Sequence, residues 1–324
     1  MFFRLLIVFL SLVVCPMGFA LEWKSDYTRV LDLSKQQNKP VLLFFNGSDW
    51  SGLAMKMKHE VLDTLAFQER IQDQFICMEA DFPIHTTLHQ ELALQNNELK
   101  KRFNVSDLPL LLVLDADERV IAQMGYFPEG GQQLAEDLLR VVEQDDRLTF
   151  GLKNLNAPST QLKELYELAR ELGRTSAMEE ILETGLSTQE PYFFLEKYRL
   201  LVEKGEVGSE EAQTLRQKLA TLDPENKQEV HFTLALIDFQ ELAQKNLAPS
   251  ATVQPLIEYL SQWRVSDQKN VWRIEMMIAQ IYMESDLKEE ALKYAERALH
   301  SAPESMHEEI AHSLDYIRSS TTQR

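Results

Sequence analysis

Two rhythms of apolar and polar residues divide the chain. Up to about residue 146, short unbroken apolar runs alternate with segments whose apolar residues recur every three to four positions. From Tyr27 to Lys39, the residues Tyr27, Val30, Leu31 and Ser34 share one helical face, and Pro40 ends the pattern. Val41-Leu42-Leu43-Phe44-Phe45 is then a continuous apolar run closed by Asn46-Gly47-Ser48, as expected of a strand buried on both faces of a parallel sheet. The same reading predicts a helix over 52–68, a strand over 75–80, a polar helix over 88–103, a strand at Leu110–Leu114, a strand over 120–125 within hairpin reach, and a helix over 132–143. That order is an α/β layer architecture.

Beyond about Asp145 only the helical period remains. Breaks at Gly173, Gly185, Pro191, Gly205-Glu206-Val207-Gly208, Pro224, Pro249, Pro255 and Pro303 are too closely spaced for long coiled coils. They predict about eight helices of roughly 12 to 18 residues stacked as antiparallel pairs, an all-α helical-repeat domain over 147–324 following the α/β domain over 21–146.

Residues 1–20 form a separate segment. One charge at Arg4, an apolar run from Leu5 to Val14 and small residues at Gly18 and Ala20 match a secretory signal peptide cleaved before Leu21. An uncleaved anchor is the rival reading, but the run is shorter than the roughly 20 residues a spanning helix needs. Cys15 as a lipid-attachment site is disfavoured by Val14, where such sites take a small side chain. Cleavage would leave Cys77 as the single cysteine, so no internal disulfide could close. The carboxyl end, Thr321-Thr322-Gln323-Arg324, is no retention signal, and a bacterial periplasm is the expected compartment. No other stretch is apolar enough to span a membrane after cleavage. The net charge of −18 argues against a nucleic-acid or anionic-membrane surface, both of which need clustered Lys and Arg.

The first domain resembles the thioredoxin-like superfamily, in particular its secreted disulfide-isomerase-like branch. Phe44 through Ala54 stands where such proteins place the strand and helix start that carry Trp-Cys-x-x-Cys. Asp81-Phe82-Pro83 follows the next strand, Leu108-Pro109 takes the place of the family's cis-proline, and Leu114 to Asp117 with Gly125 to Pro128 resembles the closing hairpin. The likeness implies a thioredoxin fold and, taken by itself, a thiol–disulfide oxidoreductase or isomerase. Trp272 to Ser305 similarly resembles a tetratricopeptide pair through Ile278, Ala279, Tyr282, Ala291, Ala298 and Pro303. There small residues let two helices approach, although Glu275 fills a position meant for a large apolar side chain. A more degenerate pair is expected over 192–224, with Ala212 and Pro224 at the matching offset. Ordinary helix packing would also explain these alanines.

The departure from the family outweighs the match. Disulfide exchange needs a thiolate activated at a helix N-terminus and usually a second thiol three residues on. Ser51 and Ala54 hold those two positions, a degenerate site with no catalytic residue. Ser51 is expected to cap the helix rather than act as a nucleophile, since the nearest histidine, His59, lies two turns along the same helix. Cys77, inside a strand, reads as a small buried hydrophobe. The seven histidines show no metal spacing, and no glycine-rich phosphate loop is present, so no metal or cofactor is expected.

What remains is binding. In the thioredoxin fold the loop before the cis-proline offers backbone groups to an extended peptide, a capacity set by backbone shape rather than by cysteine. Trp50, Leu53, Leu108 and Pro109 are the candidate peptide-binding floor. The helical array offers a second, concave surface. The expected partners are proteins or peptides of the envelope, and nucleic acid is not among them.

Overall fold

The computed structural model describes residues 21–321. The leader segment expected over 1–20 lies outside the described residues. The chain divides into two compact units between Lys153 and Asn154.

The first unit is a three-layer α/β/α structure. Helix α1 (Tyr27–Gln37) starts at Asp26, whose carboxylate accepts from the Arg29 N–H, and ends at Asn38 in the left-handed conformation. Strand β1 (Val41–Asn46) is followed by α2 (Gly52–Lys56), which runs on as a π-helical turn over Met57–Leu62. After a break come α3 (Leu65–Ile71), β2 (Ile76–Asp81), α4 (Gln90–Arg102), β3 (Leu110–Leu114), β4 (Val120–Met124) and α5 (Gly131–Leu152).

The sheet order is β2-β1-β3-β4. β1 is the buried interior strand its apolar run predicts, in a mixed sheet where it pairs parallel with β2 and antiparallel with β3. Side chains alternate across it. Leu42 and Phe44, with Cys77, Leu111 and Val113, face a core completed by Met57, Val61, Phe67 and Leu134. Val41, Leu43 and Phe45 face Tyr27, Val30 and Leu99 on the other side.

Two helices depart from their predicted extents. The helix expected over 52–68 is broken at Asp63-Thr64, where the start of α5 comes in close; a β-carbon on Gly131 would lie 2.1 Å from Thr64 Oγ1 and 2.5 Å from the Val61 carbonyl oxygen. Helix α5 runs past Glu143 to Leu152, and Asp145 within that extension is buried and held bidentately by Arg119, with Nη1–Oδ1 at 2.9 Å and Nη2–Oδ2 at 2.6 Å.

The second unit is all helical among its described residues. It comprises α6 (Ser159–Glu171), α7 (Thr175–Leu186), α8 (Pro191–Glu203), α9 (Glu210–Leu222), α10 (Val230–Ala243), the short α11 (Pro249–Thr252), α12 (Gln254–Trp263), α13 (Val271–Glu284), α14 (Lys288–Ser301) and α15 (His307–Thr321). Helices pack in pairs, α6 with α7, α8 with α9, and α13 with both α12 and α14. Ile278, Ala279, Tyr282, Ala291 and Ala298 are buried together in one core, and Ala212 is fully buried in another. Glu275, the misfit of the repeat pattern, is also fully buried; Arg264 Nη2 reaches it at 2.5 Å and Ser301 Oγ donates to it at 2.7 Å.

Candidate functional site: the carboxyl end of β1

β1 and β2 end side by side, with Asn46 opposite Asp81, and β3 begins at the same end, with Leu110 opposite Phe45. Loops leaving this edge therefore converge, the usual place for a site in an open α/β sheet.

The turn out of β1 is closed by the Ser51 N–H donating to the Gly47 carbonyl at 2.9 Å. Gly47 is required there because Trp50 folds back over it: a β-carbon would stand 2.9 Å from Trp50 Cε2. The Trp50 indole N–H donates to the Phe82 carbonyl at 2.7 Å, yet the residue stays 45% exposed. Ser51 is the N-cap of α2. Its Oγ accepts from the Ala54 N–H at 3.3 Å and donates to the Leu108 carbonyl at 3.3 Å. The hydroxyl thus both donates and accepts inside the chain. The Leu108-Pro109 peptide bond is cis.

The structure brings these residues together but does not expose them equally. Leu53, on the first turn of α2, is 52% exposed, Leu108 is half-buried and Pro109 is buried. Trp50 and Leu53 supply open apolar surface, while Leu108 and Pro109 contribute backbone shape.

Two carboxylates fix the surrounding loops. Asp81 accepts from the Ser48 N–H at 3.0 Å, the Ser48 hydroxyl at 2.5 Å and the Phe82 N–H at 2.9 Å. Asp49 accepts from the backbone N–H groups of Ile84, His85 and Thr86 at 2.8, 2.7 and 2.9 Å. Desolvation pushes the Asp49 carboxyl upward, but these three donors and the nearby His85 prevail and hold it below the usual carboxylate range. Reading the sequence did not single out Asp49 or the loop it holds, because its partners lie more than thirty positions away.

Beneath the turn, the buried Asn46 amide donates to Glu79 at 2.7 Å, and Lys58 pairs with Glu79 at 3.1 Å while standing 4.5 Å over the Trp23 ring. Cys77 lies elsewhere. It pairs with Leu42, four positions before the end of β1, hence roughly 13 Å down the strand at about 3.3 Å per residue. Burial pushes its thiol up to about 12, against the pull of Lys58 and Lys24. Among the described residues no group of three His, Cys, Asp or Glu side chains is arranged to hold a metal, and no helix is long and apolar enough to cross a membrane.

A mixed four-stranded sheet between helical layers, with a helix N-terminus set against a cis-proline loop, defines a thioredoxin-like domain, and an all-α domain follows it. The Thioredoxin-like family profile matches residues 22–116. The chain is 39% identical to the thioredoxin-related protein DsbJ of Chlamydia pneumoniae over 306 residues, 92% of this chain and 88% of that protein. It is 37% identical to the disulfide bond reductase DsbH of Chlamydia pneumoniae over 111 residues, 34% of this chain and 66% of that one. A solved DsbH oxidoreductase structure aligns at 32% identity over 40% of this chain and 90% of its own, with a TM-score of 0.38. The chain belongs to the thioredoxin-like family of Dsb-related proteins.

Proposed function

We propose that this is an exported, redox-inactive member of its family that binds polypeptides in the cell envelope, as a chaperone or scaffold, after removal of residues 1–20. The observation that carries this reading is the side chain at position 51: a hydroxyl engaged with Leu108 and Ala54 stands where exchange chemistry needs a thiolate, with a methyl group three residues on. Cys77 offers no substitute, being buried, neutral at physiological pH and remote from the turn.

Binding is supported by what remains of the site. Trp50 and Leu53 are exposed apolar side chains on rigid supports, and the Leu108 N–H makes no hydrogen bond among the described residues. An extended polypeptide could pair its backbone with Leu108 beside Pro109 and set apolar side chains against Trp50 and Leu53. The name of DsbH makes reductase activity the competing reading, and one assay separates the two. The purified chain should not reduce insulin, whereas the Ser51→Cys/Ala54→Cys variant should form an internal disulfide between its new thiols. Immobilised chain should retain reduced, carbamidomethylated lysozyme, and Trp50→Ala should lose most of that retention. Insulin reduction by the unaltered chain that Cys77→Ala abolishes would overturn the proposal.

A further inference from the structure

We infer that Ile84 is a third anchor of this surface, set in place by Asp49, and that the segment it receives is apolar and flanked by a basic residue. The inference rests on the binding reading above and names the substrate class of the same site.

Ile84 is 67% exposed although it sits in a loop that is tightly specified. The loop is tied to the turn at both ends of its approach, by the Trp50 indole on the Phe82 carbonyl and by the Asp49 carboxylate on the amides of Ile84, His85 and Thr86. A loop needing only to connect β2 to α4 has no use for an isoleucine in water. Nor does it need a carboxylate committed to three successive amides. The effect of these bonds is to present Ile84 next to the turn that carries Trp50 and Leu53, turning two exposed side chains into an apolar patch approached from two loops.

Charge sets the second half of the specificity. Asp49 and Asp81, which bond to the turn and to the held loop, rim the patch, and neither forms an ion pair among the described residues. His85, on the held loop itself, lies close to Asp49. On a chain of net charge −18 this rim disfavours an acidic segment and favours Lys or Arg beside the apolar residue that enters. Asp49 is a positioning residue here. Its oxygens are taken up by the loop, and it acts on the ligand through Ile84 and through its charge.

The experiment compares retention of two unfolded proteins on the immobilised chain: reduced, carbamidomethylated lysozyme, which is basic, and reduced, carboxymethylated α-lactalbumin, which is acidic. The basic probe should bind at least tenfold more tightly, and raising salt from about 0.05 to 0.5 M should erase most of that preference as the Debye length contracts. Ile84→Ser should weaken capture of the basic probe roughly tenfold, the scale of one lost apolar anchor. Asp49→Asn should weaken it and also speed amide hydrogen exchange at residues 84–86 without lowering the melting temperature, a combination a merely structural residue would not give. If Trp50→Ala abolishes capture while Ile84→Ser and Asp49→Asn bind like the parent, or if the acidic probe binds as well, this inference is wrong and the binding function stands. If the parent chain captures neither probe, both fall.

Discussion

At the end of β1 the chain leaves Trp50, Leu53 and Ile84 in water, while in the helical unit it takes Glu275, Glu196 and Asp223 out of water. Both regions reverse the ordinary partition of side chains, and the polar partners show why the reversals differ. Asp49 spends its oxygens on backbone amides of a surface loop, which displays apolar groups. Asp223 also accepts from three amides, those of Lys227, Gln228 and Val230 at 2.8, 2.9 and 3.2 Å, but there the result is a closed connection leading into α10. Glu275 ties α13 to Arg264 after α12 and to Ser301 at the end of α14. Several exposed apolar groups gathered on rigid supports within a polar rim are the pattern of a binding surface. A buried carboxylate with all its partners present points to architecture.

The helical side of this contrast predicts the largest effect. Arg264→Ala would leave the Glu275 carboxylate buried with Ser301 as its remaining partner, and urea denaturation should show a loss of about 3 kcal/mol. Glu275→Leu should cost far less, since the Arg264 side chain, 42% exposed, turns to water when released. Equal losses would mean that the pair contributes attraction rather than an avoided penalty.

Next in size is Gly131→Ala, where the added carbon meets the Val61 carbonyl and Thr64. Overpacking of this kind costs about 1–3 kcal/mol and should appear as a lower melting temperature, with the α2–α3 break as its origin. Ser51→Ala removes one cap and should cost about 1 kcal/mol. A much larger loss would mean that the hydroxyl's bond to Leu108 organises the whole edge.

The smallest effect is a titration. Because the folded Asp49 carboxyl lies below its ordinary range, the order it confers is complete above the unfolded value of about 3.9 and is lost only as pH falls through the depressed folded value. Amide shifts of Ile84, His85 and Thr86 followed by NMR should therefore move at a pH below that of an ordinary carboxylate. Movement well above the carboxylate range would mean that a group other than Asp49 controls the loop.

Local chemistry made much of this readable in advance. The unbroken runs of β1 and β3 announce interior strands, and Ser51 before Gly52 announces the cap. Relations between distant residues were invisible. The helix over 132–143 gives no sign of the Arg119–Asp145 pair that lies past its expected end, Glu275 reads as a broken motif until Arg264 and Ser301 arrive, and nothing near Asp49 in the chain announces its bonds to residues 84–86. The antiparallel pairing of β1 with β3 was not written in the runs for a related reason. An apolar run records burial on both faces and carries no record of which way its neighbour runs.

The packing of Trp50 over Gly47 has an optical consequence. Its ring is part-way into water with its nitrogen bonded to a carbonyl, so anything that covers it should shift its emission to the blue without an added label. Three other tryptophans, Trp23, Trp263 and Trp272, contribute a background that a Trp50→Phe spectrum subtracts. The turn after β1 carries its own lamp for watching what lands there.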